Sequence, residues 1–348
     1  MRRLRDSWPW RMASRLKRRV TGRAVILMYH RVADLAADPQ LLGVTPRHFA
    51  EHLAVIRGGY RPMRLTELAA ALRQGRLPRR AVVITMDDGY ADNHHVARPL
   101  LERHEVPATI FVASGYVGSG IPFWWDELER LIIRPGTLPS SIELSLGRDR
   151  RRYDVEMIQY SAAHHERHRG WHVERPDDPT ARHRLFRRLY DDLHDLSSDR
   201  RATALEELAS VAAPDETADA RRASFDRPLG ADEITALAAS PVVEIGAHSV
   251  THAVLPLLTP DAQWQEIRDS RRQLEAIVQG PVTTFGYPHG RATPEIARLV
   301  QQAGYICAGG SEAGTVTRHS ELYQLPRMLV RDSDGDQLER QLRRWFDG

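Results

Sequence analysis

The sequence predicts an α/β fold built on a parallel sheet, open or closed into a barrel, with a large helical insertion near its middle. Three observations carry this. Short β-rich runs alternate with helical patterns, the rhythm of strand–helix–strand units. Most of the runs are apolar at nearly every position, as strands covered on both faces must be. The alternation stops between Tyr116 and Ser240 and then resumes. With 348 residues, 42% hydrophobic and 27% charged, the chain can bury such a sheet, and its balance fits neither a disordered nor a collagen-like protein.

In chain order, the strand candidates are residues 24–29, 81–86, 108–113, 242–246, 282–287, 305–308 and 322–330. Helices are expected at 46–57, 65–73, 93–104, 231–239, 260–278 and 294–303. Three of them open on the same local signal. Thr45-Pro46, Thr259-Pro260 and Thr293-Pro294 each set a capping hydroxyl before a proline at the first helical position. The insertion, 116–240, holds Trp124-Trp125, a loop-like stretch at 134–141, a short hairpin, and arginine-rich helices at 180–196 and 199–212. It reads as a helical cap set into the barrel. The chain therefore divides into a basic leader (1–23), a first barrel part (24–115), the cap (116–240) and a second barrel part (241–348).

Composition removes several classes. Cys307 is the one cysteine, so an intrachain disulfide framework and any multi-cysteine zinc or iron–sulfur site are excluded. No apolar run is long enough to cross a bilayer. Lys17 is the only lysine among 49 basic residues, and arginine in place of lysine fits a GC-rich coding bias. The net charge of +3 is not gathered on one face in the way a nucleic-acid protein would gather it. The one dense basic cluster lies between Arg2 and Arg23, with Trp8, Trp10 and Met12 interleaved. Such a segment suits peripheral contact with an anionic membrane surface, and a solvated leader fits the same composition. No apolar signal region follows it, which points to a cytoplasmic protein, peripheral at the inner membrane face if the basic segment does bind.

Sites in parallel α/β folds form at the carboxyl ends of strands, so apolar strands that end abruptly in polar residues mark candidates. Three do so: Val82–Met86 runs into Asp87-Asp88-Gly89-Tyr90, Val242–Gly246 runs into Ala247-His248-Ser249-Val250-Thr251-His252, and Ile26–Tyr29 ends on His30. Adjacent carboxylates repel and are costly to desolvate, and a divalent cation compensates them. His248 and His252 converge if their loop takes one helical turn. One aspartate and two imidazoles make a three-ligand catalytic metal site, leaving the second aspartate as general base.

Thr85-Met86-Asp87-Asp88-Gly89-Tyr90 resembles the T-F-D-D-G-[YF] motif of the polysaccharide deacetylase family, carbohydrate esterase family 4 or NodB homology domain. His248-Ser249-Val250-Thr251-His252 matches its H-[ST]-x-x-H motif, and Thr284–Gly290 resembles its third motif, R-x-P-[YF]. The motifs follow in the family's order, and the resemblance covers roughly 25–112 and 242–330. It implies a distorted (β/α)7 barrel and metal-dependent removal of N-acetyl groups from an amino sugar or glycan precursor, soluble or lipid-linked. Carried over, Asp87 matches the base and Asp88, His248 and His252 match the ligands of a metal, commonly zinc. A backbone N–H near Tyr90 matches the oxyanion donor.

The pattern also departs from the family. The third-motif arginine aligns with Gly286 and the aromatic with His289, and the late Leu-x-His that supplies the general acid is not evident. His30, His289 and His319 are the candidate acids, with His30 favoured over His289. Tyr90, Tyr287, Trp124 and Trp125 are the candidate substrate contacts, and the two tryptophans serve equally well as anchors for the cap. Removal of another N-acyl group such as formyl, and a non-catalytic glycan-binding relative, are the competing functions.

Overall fold

The computed structural model describes residues 22–215 and 226–347. Seven strands form the main sheet: β1 (Ala24–Tyr29), β2 (Ala81–Met86), β3 (Ala108–Val112), β4 (Val243–Ala247), β5 (Thr284–Gly286), β6 (Cys307–Gly309) and β7 (Met328–Leu329). They run in the order β7-β1-β2-β3-β4-β5-β6, and every adjacent pair is parallel. Spatial order therefore follows chain order, which is how a sheet winds into a barrel. A short segment, Arg61–Pro62, also pairs with the start of β2.

The seam between β6 and β1 explains why the last strand is short. Residues 322–330 divide their hydrogen bonds between the two neighbours. Ala308 N–H donates to Leu322 O, and Leu325 N–H donates back to Ala308 O. Further on, Val330 N–H donates to Met28 O. The nine-residue strand expected there is thus split across the seam, and regular pairing survives only at Met328–Leu329.

Side chains along each strand alternate between two cores. Val25, Leu27, Tyr29, Ile84, Met86, Ile110 and Phe285 pack outward against the helices. Ala24, Ile26, Val83, Phe111, Cys307 and Leu325 fill the barrel. The three threonine caps form as expected, Thr45, Thr259 and Thr293 accepting from the N–H groups of His48, Ala262 and Ile296. Between Asn93 and His104 the helix opens with a π turn at Asn93–Ala97 before continuing as Arg98–His104.

The cap has a core of its own. Helices Trp124–Ile132, Ala181–His194 and Ser198–Val211 and the hairpin Ser141–Leu146/Asp149–Asp154 gather Leu128, Ile132, Leu144, Tyr153, Phe186, Leu189 and Leu208. Tyr90 of the barrel is buried in the same cluster. The stretch expected as loop at 134–141 holds a short strand, Gly136–Thr137, paired with Gln159–Tyr160 and Ala213–Pro214. The chain rejoins the barrel before Ser240: Leu229 N–H donates to Gly89 O, and Leu229, Ile234 and Leu237 are buried in the main core. Helix Ala231–Ala238 thus belongs to the barrel, because its apolar stripe faces the sheet. The basic leader, and with it the expected membrane contact, lies outside the described residues apart from its last two positions. Among the described residues no helix is long and apolar enough to cross a membrane.

Candidate active site

The alternation that fills the barrel also builds the site at its carboxyl-end rim. Positions 83, 85 and 87 share one face of the strand, as do 244, 246 and 248 and, on the first strand, 26, 28 and 30. Asp87, His248 and His30 therefore arrive on the barrel side together. They line one cavity of about 220 Å³ with Asp88, His252, His289, Trp125, Tyr190, Met28, Leu42 and Leu329.

Asp88, His248 and His252 meet at a point. All three are buried, and their ligand atoms lie within 4.8 Å of one another. Asp88 Oδ1 is 3.2 Å from His252 Nε2 and 3.5 Å from His248 Nε2. Two atoms each about 2.1 Å from one ion at a tetrahedral angle stand roughly 3.4 Å apart, so the spacing fits a zinc-sized cation. The donor chemistry fits too. His248 Nδ1 is 2.8 Å from Gly286 O, which can only accept, so Nδ1 carries the proton and Nε2 turns its lone pair to the cluster. The opposite nitrogen of His252, Nδ1, is buried without a partner.

The convergence does not come from a helical turn. Asp88, Ser249 and His252 instead hold left-handed backbone, at φ of 75°, 62° and 54°, and His289 joins them at 55°. Left-handed backbone at non-glycine residues is strained, and here it clusters around the three converging groups.

Asp87 has a different partner. Arg327 grips it with two hydrogen bonds, Nη1 to Oδ1 at 2.7 Å and Nη2 to Oδ2 at 2.8 Å. The same guanidinium donates to Gly310 O and Thr85 Oγ1. Burial alone would raise the Asp87 carboxyl, but the Arg327 and His248 charges outweigh it and hold it below the ordinary range. Asp88 is held well below that range against its burial, through His248 and His252. Burial pushes the His252 imidazole down despite Asp88. An ionised Asp88 beside a His252 imidazole pushed toward its neutral form suits cation binding.

The candidate acids separate. His30 lines the cavity together with both aspartates. His289 lines it too, packed against His252 and His194 at ring distances of 4.6 and 4.8 Å. Burial and those neighbours push His289 down to about 2, so it stays neutral. His319 is exposed, accepts from Arg318, and does not line the cavity.

Three of the four expected substrate contacts need correction. Trp125 lines the cavity, but Trp124 does not. It is sandwiched between Tyr190, stacked at 4.9 Å, and the Arg201 guanidinium at 4.8 Å. Consecutive residues on a helix point about 100° apart, so the pair cannot share one face. Tyr287 is fully buried in the main core, with its hydroxyl donated to Tyr323 O. The Tyr90 side chain lies behind Trp125 rather than in the cavity, its hydroxyl bonded to Asp126.

The profile of the polysaccharide deacetylase family matches residues 74–136 and 211–308, reaching into the cap from both ends. Over those two stretches the chain matches the polysaccharide deacetylase family. It is 20% identical over 307 residues to the putative polysaccharide deacetylase YxkH of Bacillus subtilis, covering 88% of this chain and 70% of that protein. It is 36% identical over 86 residues to the poly-β-1,6-N-acetyl-D-glucosamine N-deacetylase of Escherichia coli K12, covering 24% of this chain and 13% of that protein. The fold resembles that of the Streptococcus pyogenes deacetylase PplD, solved in complex with acetate, at a TM-score of 0.54 and 17% identity, covering 93% of this chain and 99% of that one.

Within the family pattern, Arg327 is the residue the sequence reading missed. The third-motif position is Gly286, where an added Cβ would sit 2.9 Å from the Phe111 ring and 3.0 Å from His248 Nδ1. No arginine fits there. The signal that could have found Arg327 is parity: two residues after the inward-facing Leu325, it points into the barrel.

Proposed function

We propose that this chain is a metal-dependent N-deacetylase acting on an N-acetylated amino sugar or glycan. The observation supporting it most is the pairing of two differently prepared carboxylates in one cavity. Asp88 joins a cluster with the His248 and His252 imidazoles, while Asp87 is ionised and aimed by Arg327 but lies outside that cluster. A site for metal binding or glycan recognition alone leaves the Asp87–Arg327 pair without a role.

Asp88, His248 and His252 would hold the ion, and two imidazoles with one carboxylate suit zinc. When bound, such an ion polarises the acyl carbonyl and stabilises the negative charge that develops there. Asp87 accepts a proton from the attacking water, and Arg327 keeps it ionised and oriented for that task. His30 gives a proton to the departing amine as the carbon–nitrogen bond breaks, yielding acetate and a free amino sugar. Trp125, Leu42, Met28 and Leu329 supply the apolar wall. The cavity, about 220 Å³, places the reacting sugar unit beside Asp87 and His30.

The test is acetate release from N-acetylglucosamine oligomers, β-1,6-linked and chitin-like, and from free, nucleotide-linked and lipid-linked N-acetyl sugars, with and without zinc. Zinc-stimulated release from at least one is expected. No release from any of them, with zinc bound, would overturn the reading.

A further inference from the structure

The aromatic wall of the cavity is held from behind, by groups that do not touch the cavity themselves. Trp125 lies edge to face with His252, ring centres 5.0 Å apart, and is stacked on Phe123 at 4.9 Å with the planes 4° apart. Stacking of this kind sets a plane but lets a ring slide within it. Hydrogen bonds remove that freedom. Trp125 Nε1 donates to Tyr90 Oη at 2.8 Å. An indole N–H can only donate, so the Tyr90 hydroxyl accepts there and has one proton left to give. That proton goes to Asp126 Oδ2, at 2.7 Å.

The placement of the three residues gives this chain its meaning. Tyr90 is two residues beyond Asp88, on the rim loop that also carries the base. Trp125 and Asp126 sit side by side in the first turn of the cap helix Trp124–Ile132. Neighbours on a helix diverge, so both reach one hydroxyl only because Tyr90 enters between them. Tyr90 is itself fixed: fully buried, with the Arg31 guanidinium 4.4 Å from its ring centre and Arg31 bonded to Asp92 at 2.9 Å. The loop bearing the catalytic aspartates is thus bolted to the helix bearing the aromatic wall.

We infer that Tyr90 and Asp126 form a two-bond latch that fixes the Trp125 indole against the metal-ligand side of the cavity, making both positioning residues for the N-acylated sugar. The inference rests on the deacetylase reading for its substrate, while the latch itself stands on geometry. Trp125 is the contact; Tyr90 and Asp126 act through it.

Two measurements on the full chain decide it. The first needs no turnover: hydrogen exchange of the Trp125 indole proton, its resonance identified by its loss in Trp125→Phe. In Tyr90→Phe and Asp126→Ala this exchange should accelerate by roughly tenfold or more, and Asp126→Asn, which keeps an acceptor for the tyrosine, should stay near wild type. Unchanged exchange in Tyr90→Phe overturns the latch. The second uses a chitin-type N-acetylglucosamine oligomer with zinc. Tyr90→Phe should lower kcat/KM on the order of tenfold, mostly through KM, as a misplaced binding wall does, with zinc content unchanged. In the Trp125→Phe background the same change should cost almost nothing. An equal loss in both backgrounds, or loss of zinc in Tyr90→Phe, would show that Tyr90 supports the rim loop and not the wall. A wild type that releases no acetate defeats the deacetylase reading, and the exchange measurement still decides the latch.

Discussion

Replacing Arg327 with methionine isolates the Arg327–Asp87 pair, which in the proposed mechanism prepares the base. Methionine keeps much of the apolar stem but removes the fork that makes two bonds to Asp87. Both partners are buried, Arg327 at 1% and Asp87 at 3% exposure, so the carboxylate would be left uncompensated in the barrel. Removing one member of a buried ion pair costs about 3–5 kcal/mol. Measured against the ~5–15 kcal/mol that holds a typical domain together, the variant should fold but be visibly weakened. The cost must depend on pH. Asp87 is depressed in the folded chain, so the pair's contribution is fully present above the unfolded value of about 3.9 and is lost as pH falls through the folded value. In the variant, burial loses its main opponent and raises the carboxyl. Urea unfolding of the zinc-free chain should show the full gap at pH 8 and a smaller one at pH 4. With zinc and substrate, kcat should fall on the order of a hundredfold and the acid limb of the pH profile should move upward. Arg327→Lys, with the charge but not the fork, should lie between. A gap under 1 kcal/mol at pH 8, or one that does not change with pH, would refute the reasoning.

Three further outcomes follow from the same site. Asp87→Asn should lose turnover but keep zinc-induced stabilisation, about 2.7 kcal/mol at a hundredfold excess over Kd, whereas Asp88→Asn should lose the stabilisation itself; thermal unfolding with added zinc checks both, and the opposite pattern means the two aspartates have exchanged roles. His30→Gln should lower kcat strongly and remove the alkaline limb of the pH–rate profile, while His289→Gln should not, since burial already holds that imidazole neutral; near-normal kcat in His30→Gln assigns the proton elsewhere. Burial raises Asp126 to about 7, so the folded chain keeps a proton that the unfolded chain releases near ~3.9, and stability falls as pH rises between those values. Asp126→Asn should match wild type at pH 4 and exceed it at pH 8 by up to about 4 kcal/mol in chemical denaturation; equal stability at both would show that Asp126 is not raised.

Local signals made most of the barrel legible, and residues defined by distant partners were not. Ala24–Tyr29 and Ala81–Met86 are buried at every position, and their continuous apolar character announced that. Pro260–Val278 began where a threonine cap and a proline said it would. Asp87, Asp88, His248 and His252 were visible because each stands at the end of such a strand or in the loop that leaves it. Arg327 was not, because its segment looks like one strand and divides its pairing between two. The same holds for the tryptophans. Trp124 and Trp125 are alike in sequence, and only the helix beneath them sends one to the cavity and the other to the cap core.

Arg327 shows how the barrel can supply a cation to a buried carboxylate. A buried carboxylate base needs a fixed cation, but nothing in the chemistry requires that cation to come from a particular strand. In this chain Gly286 spends its carbonyl on His248, and the Phe111 ring and the imidazole leave no volume for a side chain. The space that remains is at the seam. Gly309 leaves room there: a Cβ at that position would stand 2.9 Å from Arg327 Cδ. Arg327 runs over this glycine, is anchored by Gly310 O, and reaches Asp87 with both arms of the fork. Two glycines on neighbouring strands thus do complementary work, one orienting His248 and the other admitting the arginine. Closing the barrel and arming its base depend on the same few residues, so a change that loosens the seam should be felt first in catalysis and only then in stability.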